Sequence, residues 1–259
     1  WLTALDDPES AASTFEHALA DDPAELRACA FLAERAFSSG LYERVPALVR
    51  PILEADDDAR EALAPMGATD LTHWHTRIGK SLVALGRADE ARPHLEQVSA
   101  SDEPLEARLD LARIATREER WNDAVSLFET IVEAHVDALS PDERADVAFE
   151  AAEAAQQAAE GERAARWLRL ALDADASYTP ALRALARLDT LGPVERIDAL
   201  ERLAQLTEGE EALHHRIALG DAHAELDAWD DAEAAYREAL EADPQSIAVL
   251  QKLLRITMR

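Results

Sequence analysis

Apolar residues recur along almost the whole chain at intervals of three and four, most clearly in Leu213–Pro244, LHHRIALGDAHAELDAWDDAEAAYREALEADP. That spacing gathers one face of a helix with 3.6 residues per turn, so it predicts helices and not strands. Two helices are expected here, broken at Leu226-Asp227-Ala228. Small residues, Gly220, Ala232 and Ala239, fall where two helices approach closely. Ala242-Asp243-Pro244 ends the second helix, because proline lacks an N–H and pushes the preceding residue away from helical geometry.

The same pattern returns along the chain with variation. Residues 1–23 match only a second helix, with Ala11, Phe15 and Ala18 standing where Ala232, Tyr236 and Ala239 stand. A second unit follows through Cys29, Leu32-Ala33, Ala36, Gly40, Tyr42, Val45, Val49 and Ile52. Pro46 sits in the first turn of its second helix, where proline is tolerated, whereas Pro51 should kink or shorten that helix. Residues 58–71, with Pro65 and Gly67, fit no unit and read as an irregular connector with a short helix of its own. The third unit carries Ile78-Gly79, Leu82, Gly86, Ala91, Leu95 and Val98. The fourth carries Leu111-Ala112, Ala115, Trp121, Ala124, Phe128 and Ile131. Ser140-Pro141-Asp142-Glu143 is a helix start signal, serine as cap and proline at the first helical position, and opens the fifth. The sixth begins at Thr179-Pro180 and runs through Leu182, Leu185-Ala186 and Asp189; the seventh is the opening stretch. Ile247–Arg259 then starts another first helix. The expected division is 1–57 for the N-terminal units, 58–71 for the connector, 72–246 for five units, and 247–259 for a partial C-terminal or capping helix.

Spacing tests the repeat. The second-helix alanines Ala91, Ala124, Ala164, Ala199 and Ala232 are 33, 40, 35 and 33 residues apart. A helix pair recurring near 34 residues resembles the tetratricopeptide repeat. The family's positions fall on Arg216, Leu219-Gly220, His223, Asp227, Trp229, Ala232, Tyr236, Ala239 and Pro244. Arg216 stands in place of the first large apolar residue, His223 of an aromatic, and Asp227 of the turn glycine. The resemblance covers nearly all of the chain, in about seven units including partial ones. It implies an all-α fold, a right-handed α-solenoid of antiparallel helix pairs forming a superhelix, and a non-enzymatic scaffold that binds peptide or protein partners in a groove lined by first helices.

Register then assigns faces. With the small first-helix residue (Ala33, Gly79, Ala112, Ala152, Ala186, Gly220) as zero, positions −4, −1 and +3 join it against neighbouring helices. Positions −6, −3, +1, +4 and +5 point roughly the other way. The +1 row reads Glu34, Lys80, Arg113, Glu153, Arg187, Asp221; the −3 row Ala30, Thr76, Leu109, Phe149, Arg183, Ile217; the +5 row Ser38, Ala84, Arg117, Gln157, Leu191, Glu225. The groove candidates are Arg77, Lys80, Leu109, Arg113, Arg117, Phe149, Glu153, Arg183 and Arg187. Two readings stand side by side. In one, the arginines form solvated faces and pairs with nearby acids. In the other, they receive an acidic or carboxylate-bearing segment between Lys80 and Arg117, flanked by Leu109 and Phe149. Family members that grip a chaperone's terminal carboxylate use paired asparagines and lysines on first helices, and this chain's only asparagine, Asn122, falls at an inter-helix turn.

Charge sharpens the contrast. The formal charge is −27, from 53 acidic and 26 basic residues, which repels phosphate backbones and argues against a nucleic-acid partner. Only Lys80 and Lys252 are lysines. No apolar run approaches the roughly 18 to 20 residues of a membrane span, so no membrane insertion is expected of this region. Cys29 is the single cysteine and reads as a small buried apolar residue, excluding an intrachain disulfide. His73-Trp74-His75 and His214-His215 do not converge on a metal, since helix neighbours diverge by 100° and residues two apart by 200°. No phosphate loop, nucleophile elbow or zinc-protease motif is present, so no catalytic residue and no cofactor are expected. Acid pairs such as Glu150 and Glu153 read as solvated surface; Trp121, Trp229 and Tyr42 read as packing anchors at turns. Two alternatives stay open: a regulatory or sensor region of a larger enzyme or envelope protein, and a solenoid that forms homo-oligomers through terminal units bearing Leu250, Leu253 and Leu254. The chain opens on Trp1 inside a unit, so it reads as an excised region, and nothing in it assigns a compartment.

Overall fold

The computed structural model describes residues 8–99, 105–135, 138–188 and 190–258. Among them every regular element is helical, and they group into two compact units, Trp1–Arg120 and Trp121–Arg259.

Unit one contains α1 (Pro8–Asp21), α2 (Leu26–Ser38), α3 (Val45–Glu54), α4 (Asp57–Arg60), α5 (Leu71–Ala84), α6 (Ala88–Ser99) and α7 (Leu105–Arg117), with 3-10 turns at Tyr42–Arg44 and Glu61–Met66. Consecutive long helices pack on one another, with α3 against α5 across the short connector. The helix starts follow from side-chain capping. The Glu25 carboxylate accepts from the Ala28 N–H, and Asp70 accepts from Thr72 N–H at 2.8 Å. Each satisfies a donor that the first helical turn leaves without an internal partner. Pro51 lies within α3, which spans 10 residues against 12 in α6.

Unit two contains α8 (Trp121–His135), α9 (Pro141–Gln157), α10 (Gly161–Ala174), α11 (Thr179–Arg187), α12 (Pro193–Leu206), α13 (Gly209–Glu225), α14 (Trp229–Ala242) and α15 (Ile247–Thr257). From α8 to α15, each helix packs on its neighbours within this unit. The start signal at Ser140 is a full capping box: Ser140 accepts from Glu143 N–H, the Glu143 side chain accepts from Ser140 N–H, and Pro141 opens the helix. The expected break at Leu226-Asp227-Ala228 separates α13 from α14. Asp189 lies outside the described residues.

One turn closes first helices in both units. At Gly40-Leu41, Gly86-Arg87, Glu119-Arg120, Ala159-Glu160 and Asp227-Ala228, the first N–H reaches a carbonyl three residues back and the second a carbonyl five back. This is the paired C-terminal bond pattern that needs its first residue in the left-handed region. Gly40 and Gly86 supply it freely at φ 71° and 73°; Glu119, Ala159 and Asp227 adopt it at 58°, 61° and 58° despite carrying a Cβ. The missing turn glycine at Asp227 thus changes the residue and keeps the geometry.

Register explains the core. Ala91, Ala124, Ala164, Ala199 and Ala232 are all at most 1% exposed, so the repeat spacing marks contact between helices. A Cβ on Gly220 would stand 2.4 Å from the Tyr236 ring, which is why this pair combines the smallest residue on α13 with a large one on α14. Cys29 is buried among α2's apolar residues, and burial with nearby Glu25 and Asp22 pushes its thiol up to about 11.

Candidate functional site

The groove face of α2 is filled by the protein itself. Ala30 at −3 and Glu34 at +1 are buried, against the expectation that these positions are open. Arg27, at −6, donates through Nε to the Ala62 carbonyl at 3.0 Å. Met66 packs against the Ala12, Phe31 and Leu32 cluster, and Leu63 is fully buried. Residues 61–66 therefore fold back onto α2.

Glu34 collects what remains. Arg77 grips it with two bonds, Nε at 2.9 Å and Nη2 at 3.1 Å, and His73 Nε2 lies 2.6 Å from Oε1. The Arg77 guanidinium also stacks 4.3 Å from the Phe37 ring centre. Burial alone would raise the Glu34 carboxyl, but the hydrogen bonds from His73 and Arg77 and the Arg77 charge more than offset it, leaving its pKa below the ordinary value. Arg77 is thereby committed to Glu34. The neighbouring His75 turns instead to His94, Nδ1 to Nδ1 at 2.9 Å, so the two histidines flanking Trp74 diverge as helical spacing requires. Among the described residues no group of three or more metal-ligating side chains comes together.

Further along unit one, Lys80, Leu109 and Arg113 line a shallow cleft of about 400 Å³ with Glu106 and Asp110. Lys80 pairs with Glu106. Burial raises Asp110 above the ordinary carboxyl value against the opposing charges of Lys80 and Arg113. The cleft is therefore mixed in charge. Arg117 is exposed on the same helix and is not among its lining residues.

Unit two gathers its candidates more completely. Phe149 and Glu153 from α9 and Arg183 and Arg187 from α11 line one cleft of about 640 Å³, with Gln156 and Pro180. Their placement follows from register: −3 and +1 on successive first helices fall side by side when α10 packs between them. Phe149 leans edge-on to Tyr178 with ring centres 5.8 Å apart, and the Tyr178 hydroxyl donates to Asp146 at 2.6 Å. Burial, and then the Glu150 charge, raises Glu153 above its ordinary value. Arg183 pairs with Glu211 at 2.5 Å, while Arg187 is exposed and has no ion-pair partner among the described residues. Leu191, placed at +5 and expected to face the groove, is buried. Leu191 lies past the end of α11 at Arg187, so the helical direction of a +5 position no longer applies to it.

A second cleft of about 360 Å³ adjoins the first and shares Arg183 and Arg187. It adds Arg196 from α12 and His214 and His215 from α13, over apolar Leu200 and Leu203. Neither Arg196 nor His215 follows from the first-helix rows: Arg196 lies on a second helix, and His215 stands five positions before Gly220, outside the groove positions. Trp121, Trp229 and Tyr42 are half-buried at turns, and Tyr42 packs edge-on to Phe37 with centres 5.7 Å apart. Leu250 and Leu254 on α15 are exposed, at 47% and 59%. No described helix is long and apolar enough to cross a membrane.

Comparison with known proteins follows the same lines. Residues 82–140 and 197–247 match family models described as tetratricopeptide repeat. No curated protein matches the chain. Among solved structures, a chain of an Naa15/Naa10 complex bound to HypK-THB aligns with a TM-score of 0.58 at 16% identity, covering 96% of this chain and 36% of that one. YrrB, described as a TPR protein with an unusual peptide-binding site, aligns at 0.53 and 14% identity, over 76% of this chain and 98% of its own. A MamA protein aligns at 0.53 and 21% identity, over 68% and 93%. At these identities the likeness is one of fold.

Proposed function

The chain belongs to the tetratricopeptide-repeat family, and from that premise we propose that it is a non-enzymatic scaffold whose α9–α11 face binds an extended, acidic segment of a partner protein. The observation that carries this reading is the convergence of Phe149, Glu153, Arg183 and Arg187 on one cleft. Its size falls in the usual range for ligand sites, and it combines an aromatic wall with two guanidiniums, the pairing that anchors a peptide side chain and its neighbouring carboxylate. Rigid helices hold these groups before the partner arrives, which lowers the ordering cost of association. YrrB's described peptide-binding site makes a peptide the ligand class to test first.

The test uses a fluorescein-labelled decapeptide with Asp-Glu at its centre flanked by Leu and Phe, titrated by anisotropy against the full chain. Saturable binding is expected, weakened at least ~10-fold by Arg183→Glu with Arg187→Glu, the scale of losing an interfacial charge pair. A separate Arg113→Glu, Arg117→Glu variant reports on the unit-one cleft. Equal affinity in the wild type and the Arg183/Arg187 variant, or no binding, defeats the reading.

A further inference from the structure

Arg183, Arg196 and His215 line the second cleft of unit two, and each holds one buried nitrogen with no hydrogen-bond partner: Nε of Arg183, Nε of Arg196 and Nε2 of His215. The two guanidinium N–H groups are buried donors without acceptors, which is costly, and the His215 ring nitrogen becomes a donor beside them when the ring is protonated, so the three mark a place at one 360 Å³ space where an acceptor is expected. The carboxylates already present do not fill that role. Glu211 is engaged by Arg183 at 2.5 Å and lies 3.8 Å from His215 Nε2, beyond hydrogen-bond distance, and Glu225 sits 3.6 Å from Arg196 Nη1. Asp221, which also lines the cleft, is taken by Lys252 and the Tyr236 hydroxyl.

We propose that this cleft holds one carboxylate of the bound segment, an Asp or Glu side chain, between Arg183, Arg196 and His215, and that His215 binds it as the imidazolium. This rests on the reading of the adjoining face as a peptide groove, with Arg183 and Arg187 shared between the two clefts. A monoanion suits the space better than a phosphate dianion, because Asp221 and Glu225 also line it and repel added negative charge.

In the free protein, burial holds His215 below the ordinary imidazole value; Glu211 opposes this, and Arg183 and His214 reinforce it. The charged and titratable groups around it are Arg183 and Arg187 from α11, Arg196 from α12, and Glu211, His214, Asp221 and Glu225 on its own helix; α14 contributes none of the cleft's lining residues. An arriving carboxylate favours the charged ring and raises its pKa in the complex, so binding takes up a proton. Affinity therefore increases as pH falls through the window bounded above by the bound-state pKa and below by the free-state one, by at most about tenfold per pH unit for one proton.

The experiment measures the same labelled decapeptide at pH 8, 7 and 6, with calorimetry in buffers of different ionisation enthalpy to count protons. Peptides with Asn or phosphoserine replacing the central Asp complete the set. The Asp peptide is expected to gain affinity toward pH 6 with proton uptake, and the Asn and phosphoserine peptides to bind more weakly. His215→Gln and Arg196→Gln should each weaken the Asp peptide about tenfold, with His215→Gln abolishing the pH dependence. Proton counting on the wild type stands even if a variant folds poorly. Binding of the Asp peptide that is independent of pH and insensitive to both variants, or a preference for phosphoserine, overturns this proposal and leaves the groove reading intact. No binding by any peptide at any pH overturns both.

Discussion

On α2 the −3 and +1 positions are Ala30 and Glu34, both buried; on α9 they are Phe149 and Glu153, and both line an open cleft. The two helices hold the same place in their repeats. What differs is the neighbour. Residues 61–66 fold back over α2, and α5 sends Arg77 and His73 onto Glu34, whereas nothing comparable lies over α9 among the described residues. Register thus fixes the direction a side chain takes, and the intervening chain decides whether that direction meets solvent or protein.

The largest effects should come from unfastening the covered face. Leu63→Ala removes a fully buried side chain from the connector and is expected to destabilise unit one by about 3 kcal/mol, read from the urea midpoint, with faster amide exchange along α2. Glu34→Ala leaves Arg77 without its carboxylate in a largely dry setting and should cost about 2–3 kcal/mol. The corresponding change at an exposed pair in unit two, Glu195→Ala opposite Arg169, should cost at most about 1 kcal/mol, since both side chains are half in solvent. Equal losses from Glu34→Ala and Glu195→Ala would remove the distinction between a buried tie and a solvated one.

Turn substitutions give a smaller contrast. Gly86→Ala forces a Cβ into the left-handed region and should destabilise by about 1 kcal/mol, while Ala159→Gly should stabilise by up to about 1 kcal/mol at the same turn position. Thermal midpoints moving in opposite directions would bear this out; a loss at both would mean that the left-handed geometry is not what these turns select.

The smallest expected effect is on pH dependence in unit one. His75 and His94 titrate near 6.5 when unfolded, and burial lowers both in the folded protein. The folded state therefore binds fewer protons, so this contribution is fully present above about pH 6.5 and is lost as pH falls through the folded-state values. Urea midpoints should drop between pH 7.5 and 5.5, and the drop should shrink in a His75→Gln, His94→Gln variant. An identical slope in wild type and variant would contradict it.

Local features of the fold were legible. Apolar periodicity located the helices, Ser140-Pro141-Asp142-Glu143 announced its capping box, and the alanine spacing marked the buried seam. Glu119 and Ala159 show the limit, because neither residue type signals a left-handed turn and only the repeat places them there. The candidate site was half legible. Phe149, Glu153, Arg183 and Arg187 could be chosen from register alone. The fate of Glu34 and Arg77 could not, since it depends on a connector, residues 58–71, that carries no period and whose contacts with α2 are far away in sequence. Arg196 and His215 escaped for related reasons: Arg196 lies on a second helix, outside the first-helix rows, and His215 lines the Arg183 cleft from the next repeat, a meeting that spacing within one repeat does not encode.

The central claim, that the open face of unit two receives a peptide and the covered face of α2 does not, is tested most directly by hydrogen exchange of the full chain with and without the acidic decapeptide. Protection is expected on α9, α11 and the first half of α13, with α2 and residues 57–66 unchanged. Protection centred on α2, or none in unit two at a saturating peptide concentration, would contradict the account.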